Sequence, residues 1–297
     1  MQAAVHVIHQ SGFCRISDFR CACLECSTSR LEFGNHFSIC FVRQGYFEQH
    51  VFRRKQEMHA GRILVSKPGI EYRVRHMDNQ PDICTSLNFS GAFYEKLQEA
   101  YAGQLQWFFR NPDLQSLLLS DSPEAEYLHR QILAIAGKNT QLEMDELVIQ
   151  LVENVLHAMG KPITTPGLPA GLKNHHLPTV EKARDYVFRH FAEDISLQAL
   201  AEHCCVSLFH FGRIFKSILH TTPHQYLTDV RIQHAKFLLQ TTGHTVSEVA
   251  FQSGFNSVEH FVTAFRKVTG TTPTACRQAR AGSKPISRQF GRVSHTW

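Results

Sequence analysis

The pattern of apolar and polar positions changes character twice along the chain. Up to about residue 90 it runs in short stretches rich in β-branched and aromatic residues. Residues 38–42, 47–52, 62–66 and 72–76 read as strands, separated by Gly45, Gly61 and the Pro68-Gly69 turn. Short strands at this spacing predict a small antiparallel sandwich or barrel over 1–90. From residue 91 the apolar period becomes helical, over 91–105, 123–137 and 141–159. Its clearest stripe is Leu142, Leu147, Leu151, Val155 and Met159, widened by Val148 and Val152. This helical extension, 91–160, is expected to cover the barrel or to pair with a second copy of the chain. Residues 161–178 open with prolines and glycines, Pro162, Pro166, Gly167, Pro169 and Gly171, which suit an interdomain linker. Helical periodicity resumes over 179–278, and 279–297 reads as a basic tail. The chain as a whole is expected to be α+β.

Within 179–278 one pattern occurs twice. Ile195 to Ala201 is answered by Thr245 to Ala250, and each copy closes on a Thr-Thr-Pro, at Thr221–Pro223 and Thr271–Pro273. Phe211 and Phe215 match Phe261 and Phe265. The offset is 49 residues at Ala201 and Ala250 but 50 at the phenylalanines, so the second turn is one residue longer. Each copy reads as a helix-turn-helix, over 196–219 and 245–269. Ser196 and Ser207 are expected to cap the two helices of the first unit, with Val206 between them. The second unit has a capping box at Thr245 and Glu248, a turn at Gly254-Phe255, a cap at Ser257 and a closing Gly270. Phe211, Ile214, Phe215 and Ile218 form the inward stripe of one helix, and Phe261, Ala264, Phe265 and Val268 that of the other. A continuous helix around Arg231 joins the units through Tyr226, Val230, Ala235 and Leu238, and Arg231 itself fits either DNA contact or a structural role. A rigid connector of this kind would set two reading helices about one DNA turn, ~34 Å, apart.

The stretch AKFLLQTTGHTVSEVAFQSGFNSVEHFVTAFRKVTGTTP, from Ala235 to Pro273, resembles the signature of the AraC/XylS family of bacterial transcription regulators. The resemblance covers about residues 179–278 and implies a seven-helix DNA-binding region. It also implies a cupin-like N-terminal β-barrel that binds an effector or dimerises. Position by position, the base-facing places of the first reading helix correspond to Phe209, Gly212 and Arg213. Those of the second correspond to Val258, Glu259, Val262 and Thr263. Arg213 has the fork that matches guanine O6 and N7. Lys216, Arg266 and Lys267 read as phosphate contacts that position the module. The chain departs from the family at Gly212, Val258, Glu259 and Thr263, where polar or basic residues are usual, and at His220, which stands where glycine is usual. Glu259 would repel phosphate unless it accepts from a cytosine amine.

Charge agrees with a polyanionic partner. Of the 31 basic and 26 acidic side chains, residues 179–297 hold 14 basic and 8 acidic ones, so the excess lies with the repeated units. The start of the chain lacks a basic segment followed by an apolar one, and no run approaches the ~18 apolar residues of a membrane span. A cytoplasmic location with no membrane partner is expected. The nine cysteines are then expected to be reduced.

The β region has no sharp catalytic pattern. His36, His50, His59 and His76 are isolated in sequence, so no metal, cofactor or catalytic residue is expected and the chain is read as a non-enzyme. Cys21, Cys23 and Cys26 are close enough to act as sensor thiols for an oxidant or a soft metal, although buried structural cysteines explain them as well. Arg73 and Arg75, with Arg53, Arg54 and Lys55, suit either a solvated face or an anionic ligand. The expected function is thus a sequence-specific DNA-binding regulator, modulated by a small-molecule effector. Double-stranded DNA is its expected partner, with a homodimer and, for an activator, RNA polymerase as further ones. The competing readings are a metal-dependent cupin enzyme with an appended helical module, a thiol-based sensing regulator, and a nonspecific architectural DNA binder.

Overall fold

The computed structural model describes residues 3–21, 28–51, 54–76, 81–137, 140–160 and 170–282. These divide into two compact units, with the boundary between Leu177 and Pro178. The first begins with β1 (Ala4–Gln10), β2 (Cys14–Cys21), β3 (Glu32–Gly34), β4 (Phe37–Gln44) and β5 (Tyr46–Val51). It continues with β6 (Arg54–His59), β7 (Arg62–Ser66), β8 (Ile70–His76) and β9 (Asp82–Phe89). Then follow α1 (Gly91–Ala100), α2 (Ala102–Phe109), β10 (Ser116–Ser120), α3 (Pro123–Ile135) and α4 (Gln141–Met159).

Two antiparallel sheets result, one in the order β1-β2-β9-β4-β7-β10 and one in the order β3-β8-β5-β6. This is the β-rich N-terminal architecture that the strand spacing predicts. Four strands come out close to expectation, and β7 is identical to it. The others escape the sequence pattern for different reasons. β6 (RKQEMH) pairs only with β5 and is polar at its start, so it lacks an apolar alternation. β2 buries Asp18, which accepts from Arg20 Nε at 3.0 Å and from Arg43, so a charge interrupts its apolar face. β10 lies inside the stretch 91–160, where the pattern predicts helix throughout. Its SLLLS segment instead completes the sheet by pairing with β7 in register, Ser116 opposite Ser66 and Ser120 opposite Arg62. A short apolar run of this length is ambiguous until a partner edge is present.

Helices α3 and α4 cover this core. The ring of His129 on α3 stacks on Phe41 of β4 with centroids 4.2 Å apart. On α4 the stripe from Leu147 to Met159 is buried as predicted, joined by Met144 and Leu156. Leu142 is the exception at 70% exposure, because it lies in the first turn, ahead of the buried face. Residues 91–160 therefore belong to the β-rich unit and supply its lid.

Seven further helices follow among the described residues, the number the resemblance implies: α5 (Ala170–His190), α6 (Leu197–His203), α7 (Leu208–Leu219), α8 (Pro223–Thr241), α9 (Val246–Gln252), α10 (Val258–Thr269) and α11 (Pro273–Gly282). The expected linker at 161–178 is only partly described, and its second half differs from expectation. α5 is helical from Ala170 and contains Pro178. The linker prolines at 162, 166 and 169 precede that helix; after Gly171 no residue but Pro178 opposes it. No helix among the described residues is long and apolar enough to cross a membrane.

Candidate nucleic-acid interface

The repeat in the sequence becomes a repeat in hydrogen bonds. Ser196 accepts from the Ala199 amide at 3.0 Å to start α6. Thr245 and Glu248 start α9 with a reciprocal box, Thr245 N donating to Glu248 Oε2 at 2.6 Å and Glu248 N to Thr245 Oγ1 at 3.2 Å. The backbone amide of Thr245, with its hydroxyl, holds the exposed Glu248 carboxyl below its ordinary range. The turns then match bond for bond. Val206 N donates to Ala201 O at 3.0 Å, and Phe255 N to Ala250 O at 3.1 Å. Cys205 and Gly254 both take left-handed backbones, at φ 57° and 82°. Asn256 follows Phe255 where Ser207 follows Val206 directly, which locates the extra residue of the second turn.

Each turn delivers a 12-residue helix with a dry face and a wet one. α7 buries Phe211, Ile214, Phe215 and Ile218 as expected, and α10 buries Phe261, Ala264 and Phe265 with Val268 half-buried beside them. The Phe211 ring packs tilted against Phe215 with centroids 5.7 Å apart, and Phe261 packs edge-on against Phe265 at 5.5 Å. The caps differ in detail. Ser257 accepts from the His260 amide at 3.1 Å, whereas Ser207 occupies its cap position without a side-chain bond. Both helices end on a left-handed residue, His220 at φ 58° and Gly270 at φ 74°. The two Thr-Thr-Pro segments cap what comes next. Thr222 accepts from Gln225 N to start α8, and Thr272 from Ala275 N to start α11, both at 3.2 Å.

The outer face of α7 is as the sequence suggests. Phe209 is 86% exposed, an unusual position for a phenylalanine that has no apolar partner to meet. Arg213 and Lys216 are exposed too, and their side chains form no hydrogen bond or ion pair with another described residue. Gly212 lies half-buried between them; a Cβ projecting from it would meet nothing within 4 Å, so a side chain would be accommodated there.

The outer face of α10 is less free than the sequence suggests. Val258 and Val262, expected to face outward, are half-buried and pack against the core that contains Phe255, Phe261 and Phe265. Their apolar surface is partly committed to the fold, because they flank the inward stripe on a helix whose partner is close. Thr263 is exposed, but its hydroxyl donates to Glu259 O at 2.9 Å, one turn back. Glu259 is exposed in the first turn, where the helix dipole favours a carboxylate. Arg266 and Lys267 are both exposed; burial raises the Asp229 carboxyl, while a hydrogen bond from Gln225 and, to a smaller extent, the charge of Lys267 draw it back.

Arg231 settles into the protein. From α8 its Nε donates to Phe191 O and its Nη2 to Glu193 O, both at 2.7 Å. Burial lowers its pKa. The structural alternative read for this residue is therefore the one realised.

In the β-rich unit, Cys21 is buried at the end of β2, while Cys23 and Cys26 lie outside the described residues. Arg73, Arg75, Arg54 and Lys55 are exposed, and Arg53 is also outside the described residues. His59 is held structurally: Nε2 accepts from Arg62 Nε at 3.3 Å, which leaves Nδ1 to donate to Ala60 O at 2.8 Å. His50 meets Glu48 at 2.9 Å. His76, isolated in sequence, has close neighbours in space. Its ring lies beside Cys21 and Asp82, with one donor atom from each residue within 4.8 Å of the others. No sequence spacing foretells that group, because its members come from three strands.

Comparison with known proteins bears on the helical unit most strongly. A helix-turn-helix domain family model matches residues 200–279. The HTH-type transcriptional regulator YdeC of Bacillus subtilis is 24% identical over 256 residues, covering 84% of this chain and 86% of its own length. An HTH-type transcriptional regulator of Staphylococcus aureus strain COL is 33% identical over 141 residues, which are 48% of this chain but only 18% of that protein. Among solved structures, the C-terminal domain of AraT, a response regulator from Geobacillus stearothermophilus, is 33% identical with a TM-score of 0.35. That match covers 36% of this chain and 88% of the AraT domain.

Proposed function

We propose that this chain is an AraC/XylS-type DNA-binding regulator, a reading supported by the helix-turn-helix match over residues 200–279 and by the repeated units, and that it reads DNA as follows. α7 and α10 enter successive major grooves on one face of a double helix, held in register by α8. The observation that carries this reading is the pairing of matched buried faces with unmatched outer ones. Phe211 and Phe215 repeat as Phe261 and Phe265, while the outward Phe209, Gly212 and Arg213 have no likeness in Glu259, Val262 and Thr263.

The division of labour follows from what each outer face has free. Arg213 reads a guanine through O6 and N7, and Phe209 offers an apolar surface to a thymine methyl. α10 contributes less direct readout. Val258 and Val262 are half-committed to the core, and Glu259 accepts from a cytosine amine or stands clear of the phosphates. Lys216, Arg266 and Lys267 position the module on the backbone. The β-rich unit takes the input, a small-molecule effector or a second copy of the chain, and an activating form engages RNA polymerase. Its role is regulatory and not catalytic, in a cytoplasmic protein.

Selection of bound sequences from a random duplex pool tests the proposal. A regulator enriches a site with two half-elements about one turn apart and discriminates by roughly 4–10 kcal/mol against random DNA at fixed salt. Equal retention of all sequences would make the chain an architectural binder instead.

A further inference from the structure

Cys21, His76 and Asp82 are brought together at one buried corner of the β-rich unit. Cys21 closes β2 and Asp82 opens β9, directly opposite each other in register. His76 closes β8 in the other sheet, so the three donors span both sheets. Nδ1 of His76 lies 3.3 Å from Oδ1 of Asp82, and thiol, imidazole and carboxylate all fall within 4.8 Å of one another.

The corner is built to hold these groups close. Gly45, at φ 90°, backs directly onto Asp82: a Cβ there would lie 2.8 Å from both Cα and Cβ of Asp82 and from the Pro81 carbonyl. Only glycine lets the acid sit where it does. On the other side the Phe47 ring lies 6.1 Å from His76 and walls the imidazole. Burying an ionisable thiol, an imidazole and a carboxylate in one place is costly unless a cation or a full set of hydrogen bonds compensates.

We propose that Cys21, His76 and Asp82 bind one divalent cation of the zinc class and thereby clasp the two sheets together. One thiolate, one imidazole and one carboxylate form the borderline-soft set that favours zinc over magnesium or calcium. Donors on a tetrahedral zinc lie about 3.3–3.6 Å apart, so side-chain rotations moving the donors by on the order of 1 Å close the observed triangle. Three protein ligands leave a fourth position for water or an exogenous donor.

Titration of the reduced full-length chain with cobalt(II) tests the assignment, because a cysteine ligand adds a thiolate-to-cobalt charge-transfer band. One equivalent should generate the band, and zinc(II) should displace it. Cys21→Ser should abolish the band. His76→Gln or Asp82→Asn should weaken binding by more than the roughly 10–100-fold typical of outer-shell partners. Absence of a saturable band overturns the proposal, as does a band that survives Cys21→Ser and disappears with Cys40→Ser or Cys84→Ser. X-ray absorption at the zinc edge of the unaltered chain decides the matter without relying on variants that fold. One sulfur with nitrogen and oxygen neighbours is expected; no sulfur, or more than one, excludes this ligand set.

Discussion

The guanidinium of Arg231 lies over the ring of Phe255, 5.9 Å from its centroid, while its Nε and Nη2 hold the Phe191 and Glu193 carbonyls. One side chain of the connecting helix thus fixes both the loop before α6 and the turn of the second unit. Gly254 completes the joint, because a Cβ there would sit 2.7 Å from Phe191 O and 2.9 Å from Arg231 Nε.

Arg231→Ala should therefore destabilise the helical unit by about 2–3 kcal/mol, since two carbonyls lose a charged donor. Gly254→Ala should cost at least ~2 kcal/mol through overpacking and a left-handed backbone. Urea unfolding of the full chain checks both as a lowered midpoint of the helical unit's transition. Unchanged midpoints would show the joint to be dispensable.

The helix ends make an opposite pair of predictions. His220 pays for a left-handed backbone that Gly270 adopts freely, and Gly270 has nothing within 4 Å of a Cβ position. His220→Gly should raise stability by about 0.5–1 kcal/mol, and Gly270→Ala should lower it by about 1 kcal/mol. Thermal melts of the two variants should move in opposite directions; movement in the same direction would place the effect elsewhere.

For DNA binding, Arg213→Ala should cost about 1–3 kcal/mol and relax preference at one base pair, whereas Lys216→Ala or Arg266→Ala should weaken all sequences alike. Each of those two should also reduce the slope of log K against log salt by about one. Lys267→Ala should change that slope less, because the charge of Lys267 already acts on the Asp229 carboxyl. Binding isotherms at several salt concentrations on selected and random duplexes separate these outcomes. An Arg213→Ala loss equal on all duplexes would assign Arg213 to the backbone.

His234 gives the helical unit a pH dependence. Burial beside Phe191, with ring centroids 4.7 Å apart, depresses its pKa from 6.5 to about 4. The unfolded chain takes up its proton more readily, so this contribution to stability is full above pH 6.5 and is lost as pH falls towards 4. The loss should amount to about 2–3 kcal/mol. His234→Gln should flatten the decline between pH 6.5 and 4 relative to the parent chain. Parallel curves for the two would remove His234 as its source.

Much of the helical unit is legible in the sequence because its signals are local. Caps at Ser196, Thr245 and Ser257, and phenylalanines at helical spacing, fix each element within a few residues of sequence. The outer face of α10 is less legible. Val258 and Val262 lie at the margin of the apolar stripe, and whether a marginal residue is wet depends on how closely the neighbouring helix approaches. In the β-rich unit β10 stays hidden for a related reason: SLLLS has no preferred structure until the edge of β7 receives it.

The sequence by itself determined the two helix-turn-helix units, the extra residue in the second turn and the basic charge that goes with them, since periodicity and capping act over a few residues. Tertiary structure alone decided that Arg231 is a joint and that Cys21, His76 and Asp82 share a corner. Those relationships draw in residues tens of positions away, Phe191 to Arg231 and Cys21 to His76 and Asp82, and only the packing of helices and the register of strands brings them close.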